Sequence, residues 1–154
     1  MTAARIDQAS RLIGAAPATI YRAFESAEAL ESWLPPKGMS GKVLAFDFRE
    51  GGAYRMRLTY EGTHEVPGKS AEHADDVEVR IVKLVSNERI EQAVVFDSPD
   101  PAFAGTMKMT WLFKAVPQGT EVTVRCENVP QGIRPEDHAK GLHSTLENLA
   151  AFTA

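Results

Sequence analysis

The sequence predicts an α+β domain in which a strongly curved antiparallel sheet of about six or seven strands wraps a long C-terminal helix. Three observations predict it. First, Ala139, Leu142, Leu146, Leu149, Ala150 and Phe152 recur at spacings that trace one apolar stripe along Pro135–Ala154. Second, the hundred residues before that helix read as consecutive strand pairs joined by turn signals. Third, the remaining helices are short and lie near the start, so helix and strand segregate along the chain.

Taken in order, Arg5–Ile13 reads as a first strand ending at Gly14. Pro17 opens a short helix from the first helical position, where its missing N–H costs nothing. Ser26 caps a second helix running to Leu34, which buries Leu30, Trp33 and Leu34 before Pro35-Pro36 stops it. Lys42–Arg49 and Ala53–Tyr60 read as strands about the turn Glu50-Gly51-Gly52. In the second of these, Tyr54, Met56, Leu58 and Tyr60 share one face, and Arg55, Arg57 and Thr59 the other. Glu61–Asp76, polar and holding Pro67-Gly68, reads as a long loop. Val77–Val85 and Arg89–Phe96 form a hairpin over Ser86-Asn87-Glu88. Asp97–Gly105 is an irregular excursion, and Thr106–Val116 pairs with Thr120–Asn128 about Pro117-Gln118-Gly119. Met107, Met109, Trp111 and Phe113 face inward there, with Val122, Val124 and Cys126. Arg134 falls at the N-cap of the last helix without an acceptor to offer, which Glu136 and Asp137 offset through the helix dipole. Glu136, Lys140, His143 and Glu147 take the face opposite the stripe.

At 154 residues the chain is read as one domain, 1–154, able to bury roughly 70% of its extended-chain surface. Its 44% apolar and 25% charged residues are those of a soluble globular protein. A net charge of -4 without a basic cluster argues against nucleic acid and anionic membrane. One cysteine, Cys126, excludes an internal disulfide framework. With no signal-like N-terminus and no long apolar run, the expected location is the cytoplasm.

Several stretches resemble one known family. Ala15-Ala16-Pro17-Ala18-Thr19-Ile20-Tyr21-Arg22-Ala23-Phe24 followed by Ala29-Leu30-Glu31-Ser32-Trp33-Leu34 is similar to the opening signature of the activator of heat-shock-protein-90 ATPase homologue family, within the START-like (SRPBCC, birch-pollen-allergen-like) superfamily. Phe46-Asp47-Phe48-Arg49-Glu50-Gly51-Gly52-Ala53-Tyr54 resembles its hairpin. Glu88-Arg89-Ile90 resembles its "PERL" turn, with Asn87 in place of proline. Gly119-Thr120-Glu121-Val122-Thr123-Val124 and Ser144-Thr145-Leu146-Glu147-Asn148-Leu149-Ala150 resemble its late strand and closing helix. The resemblance implies a helix-grip fold with a hydrophobic cavity between sheet and helix. Superfamily relatives use that cavity for lipids, hormones or polyketides, and some catalyse aromatisation or cyclisation in it. The family's eukaryotic namesake is a co-chaperone.

The inward register nominates a ligand-binding set: Trp33, Tyr54, Met56, Leu58, Tyr60, Gln92, Val94, Met107, Met109, Trp111, His138, Leu142 and Leu146. Taken singly, each of the apolar ones reads first as core packed against Leu142, Leu146 and Leu149, and the set together as a pocket. His138, at the helix edge near the expected cavity mouth, is the candidate acid or base, and otherwise an exposed or capping histidine. The loops Glu61–Asp76 and Asp97–Gly105 are placed to rim the mouth. His64, His73, His138, His143 and Cys126 lack zinc-ligand spacing, so no metal and no cofactor is expected. Ser32 and Ser144 lack a nucleophile-elbow context. The expected function is binding of a hydrophobic or amphipathic small molecule. A cavity enzyme of cyclase, aromatase or hydrolase type and a co-chaperone-like interaction module stay open as alternatives. A homodimer stays open too, and the single domain argues against a chaperone partner.

Overall fold

The computed structural model describes residues 5–60 and 74–154. The elements run β1 (Ile6–Ile13), α1 (Pro17–Arg22), α2 (Ala27–Trp33), β2 (Met39–Leu44), β3 (Ala53–Tyr60), β4 (Ala74–Val85), β5 (Arg89–Phe96), β6 (Met107–Val116), β7 (Gly119–Glu127) and α3 (Pro135–Phe152), with a short 3₁₀ turn at Pro101–Phe103. The strands form one sheet in the order β1-β7-β6-β5-β4-β3-β2, every neighbouring pair antiparallel. The sheet curls into a half-barrel around α3. From β2 to β7 each strand pairs with the next in sequence. The passage from β1 to β2 runs from one edge of the sheet to the other through α1 and α2.

Local chemistry explains the element ends. The Ser26 hydroxyl accepts the Ala29 N–H at 3.3 Å and starts α2. Arg134 caps α3 without a side-chain bond, and Glu136 and Asp137 occupy the first turn. Asn87 turns the β4–β5 hairpin with a φ of 63°. At Gly119 (φ 140°) a side chain would collide with the Ile13 carbonyl, so the β6–β7 hairpin tucks under the end of β1 only with glycine there.

Three expectations need correction. β2 runs over Met39–Leu44 rather than Lys42–Arg49, because Ala45 adopts a left-handed φ of 51° and ends the pairing. Phe46 and Phe48 leave the strand and stack on each other, centroids 6.2 Å apart. β4 begins at Ala74, so Asp75 and Asp76 lie in the sheet rather than a loop, paired opposite Leu58 and Arg57. Residues 61–73, including Pro67-Gly68, His64 and His73, lie outside the described residues. On α3 the buried stripe is Leu142, Thr145, Leu146 and Leu149, while Ala139 and Phe152 are exposed.

The core has an aromatic end. Phe24, Trp33, Trp111 and Phe113 form a cluster, with the Trp33 and Trp111 rings perpendicular at 5.7 Å and Phe24 against both. The Trp33 indole N–H donates to the Ala23 carbonyl at 2.9 Å, so this buried ring leaves no orphan donor. On the convex face, ion pairs such as Arg57–Asp76 and Arg55–Asp97 cover β3 and its neighbours.

Candidate functional site

β3 carries its inward face from the core to the surface. Tyr54 and Met56 are fully buried, whereas Leu58 and Tyr60 are half-buried. Opposite them, the segment after α2 is bound to α3 by three polar contacts. Thr145 donates to the Leu34 carbonyl at 3.0 Å, Asn148 to the Pro35 carbonyl at 2.9 Å, and the Lys37 N–H to the Ser144 hydroxyl at 2.8 Å. Gly41 lets this segment close on β2, since a Cβ there would press on the Pro35 ring and the Met56 methyl, each 2.7 Å away.

Between these walls lies a groove of about 940 Å³. Pro36, Met39 and Leu58 give it an apolar side. Tyr60, Asp75, Asp137 and His138 gather polar groups, and Lys37, Lys140, His143 and Glu147 line it as well. Lys140, His143 and Glu147, read as the solvent face of α3, therefore edge the groove. Two further hollows, about 520 and 410 Å³, surround the hairpin turns near Pro17.

Among the described residues, one polar pair lies in the groove and a second joins the groove residue His138 to the strand behind it. The Tyr60 hydroxyl donates to Asp75 Oδ2 at 3.1 Å, and Asp75 is only 2% exposed. Burial, and then the Asp75 charge, push the Tyr60 phenol up to about 12, so it stays protonated at neutral pH. The second pair joins β1 to α3. His138 Nδ1 lies 2.6 Å from Asp7 Oδ2, and Arg5 clamps the same carboxylate through Nε at 3.1 Å and Nη2 at 2.7 Å. Arg5 also donates to the Ile133 carbonyl, just before α3.

This second pair fixes a tautomer. The Arg5 bonds, with His138 behind them, hold the Asp7 carboxyl below its ordinary value, so it is ionised at neutral pH and can only accept. Nδ1 of His138 must then carry the hydrogen, and in the neutral ring Nε2 keeps a free lone pair.

The same architecture, a sheet curled around a terminal helix, recurs in similar solved structures. The sequence profile described as "Activator of Hsp90 ATPase homolog 1-like protein" matches residues 14–154. The chain belongs to this family. A protein from Chromobacterium violaceum with a known crystal structure is 31% identical, with 96% of each chain covered and a TM-score of 0.82. A Mycobacterium smegmatis crystal structure (14% identity, 99% and 96% covered, TM-score 0.77) shares the fold. So does the solution structure of the AHSA1-like protein of Aeromonas hydrophila (13% identity, 96% and 91% covered, TM-score 0.70). No curated relative matches the sequence. Among the described residues, this START-like fold is one curled sheet with one long helix and two short ones. Among the described residues, no helix of this family member is long and apolar enough to cross a membrane.

Of the nominated ligand-binding residues, the structure brings Leu58, Tyr60 and His138 to the groove. Trp33 and Trp111 are sealed in the aromatic cluster. Tyr54 and Gln92 are both buried, 2% and 3% exposed. Met56, Val94, Met107, Leu142 and Leu146 are core, and Met109 is partly buried beside it. Arg5, Asp7, Asp75, Lys37 and Ser144 complete the groove and its supports without having been nominated. Two of them left a signal in the register: Asp7 alternates with Ala9 and Ile13, and Asp75 with Val77, Val79 and Ile81. An acidic residue in an inward position is the mark of a polar group aimed at the interior.

Proposed function

We propose that this protein binds an amphipathic small molecule in the groove between β3 and α3. Its apolar part rests on Pro36, Met39 and Leu58, and its polar part meets Tyr60, Asp75 and His138. The observation that carries this reading is Gly141. It sits inside α3, where glycine costs about 1 kcal/mol relative to alanine. No atom lies within 4 Å of the position its Cβ would take, so packing does not require it. Its position lines the groove, and the absent side chain leaves that volume open to an occupant. Groove size supports the same reading, since small-molecule sites commonly span about 300–1,000 Å³.

The test is native mass spectrometry of protein purified gently from its own cells. The reading predicts an added mass that vanishes on denaturation. An unliganded spectrum, together with no rise in melting temperature across a library of apolar and amphipathic compounds, would sink it.

A further inference from the structure

Resting on the groove reading, we propose that His138 is a general base that moves a proton on the bound molecule, with Asp7 as its positioning residue. The substrate class is a carbon acid, a molecule with a C–H beside a carbonyl or similar electron sink. The argument is geometric. One ring nitrogen of His138 is tied to a carboxylate that Arg5 also holds, while His138 lines the groove. This constellation orients Nε2, keeps its lone pair free, and stabilises the imidazolium once it forms.

Covalent catalysis has poor geometry here. Ser144 lies six residues along the helix, about 9 Å by rise, and its hydroxyl is engaged by the Lys37 N–H. A lone oriented base suffices for a proton shift. Nε2 takes the proton, the C–H electron pair moves into the carbonyl to give an enolate, and the imidazolium returns the proton to the same or a conjugated carbon. Nothing else is consumed. Among the described residues, the titratable and charged groups near His138 include Arg5, just before β1, Asp7 on β1, and Cys126, opposite Asp7, on β7. Arg134 and Glu136 stand at the start of α3, and Tyr60 on β3, Asp75 on β4, and Lys37, Asp137, Lys140, His143 and Glu147 line the same groove. Lys140 and Lys37 place positive charge along the groove where an enolate oxygen would gain from it.

The probe is 5-nitrobenzisoxazole, whose ring opens when a base removes its C–H proton. The electron pair forms the nitrile as the N–O bond breaks to a phenolate. The wild-type protein is expected to open it, and His138→Gln to lose about 10²-fold of the rate per bound probe, with occupancy of each form set by NMR titration. Asp7→Asn is expected to lower the rate without altering binding. In its neutral form, the ring of wild-type His138 is expected to show in its ¹⁵N spectrum hydrogen on Nδ1 and none on Nε2. That readout needs no variant and would not move with stability alone. Binding of the probe with a rate indifferent to His138→Gln, or a neutral ring protonated at Nε2, overturns the base and leaves the groove standing. Absence of probe-induced shifts at Leu58, Gly141 and His138 overturns the groove reading itself.

Discussion

His138 and Asp7, 131 residues apart in sequence, meet at 2.6 Å and tie the first turn of the long helix to the edge strand β1. The contact fastens the end of α3 that is poorly capped by Arg134, and it orients an imidazole at the groove. Arg5, by bonding both Asp7 and the Ile133 carbonyl, makes the attachment three-sided.

The pH dependence of stability follows from the sign of the Asp7 shift. Its pKa in the folded protein is lowered from 3.8, first by the Arg5 hydrogen bond. The stabilisation is therefore complete above 3.8 and is lost as pH falls through the lower folded value. Asp7→Asn should cost about 1.5–3 kcal/mol near neutral pH. The difference in melting temperature from wild type should close in acid. A gap that stays constant through the acid limb would contradict the pairing.

Core and groove should separate cleanly under mutation. Trp111→Ala empties a site packed by Phe24 and Trp33 and should cost about 3–5 kcal/mol in urea unfolding. Leu58→Ala, at a half-buried position, should cost less than about 2 kcal/mol yet weaken ligand retention. Equal losses at the two positions would mean that Leu58 is core and the groove is closed.

Cys126 should be chemically silent. Burial, reinforced by the neighbouring Asp7 charge, pushes its thiol up to about 12, and the residue is fully enclosed. Labelling by a disulfide reagent should proceed only as fast as the protein opens. Rapid stoichiometric labelling in native buffer would refute its place in the core.

The fold was legible because period and punctuation agreed. Alternation on β3, the turn residues Asn87 and Gly119, and the stripe Leu142–Leu146–Leu149 each pointed to the same half-barrel. The errors arose where backbone geometry overrode pattern. Ala45 has no residue-type signal for a left-handed φ, so the sequence pattern runs on past the observed end of β2. Asp75 and Asp76 looked like loop, because their polarity hid an inward partner for Tyr60 and an outward partner for Arg57.

The site was only partly legible, for a different reason. Inward apolar residues announce a concave face but not where packing stops and open volume begins. Trp111 and Leu58 are indistinguishable in that respect until the helix is in place. The Asp7–His138 pair depends on a contact between opposite ends of the chain, which local periodicity does not encode. Gly141 is informative only once the space around it is known to be empty.

That glycine offers the most direct test of the account: titration of wild type and Gly141→Leu with anilinonaphthalene sulfonate, followed by backbone amide shifts. The leucine has room at its Cβ and should raise helix stability by up to about 1 kcal/mol while filling the groove. The account predicts wild-type shifts centred on Leu58, Tyr60, Gly141 and Ser144, and their loss in a variant that melts higher. Undiminished binding by that more stable variant, or shifts centred elsewhere, would contradict it.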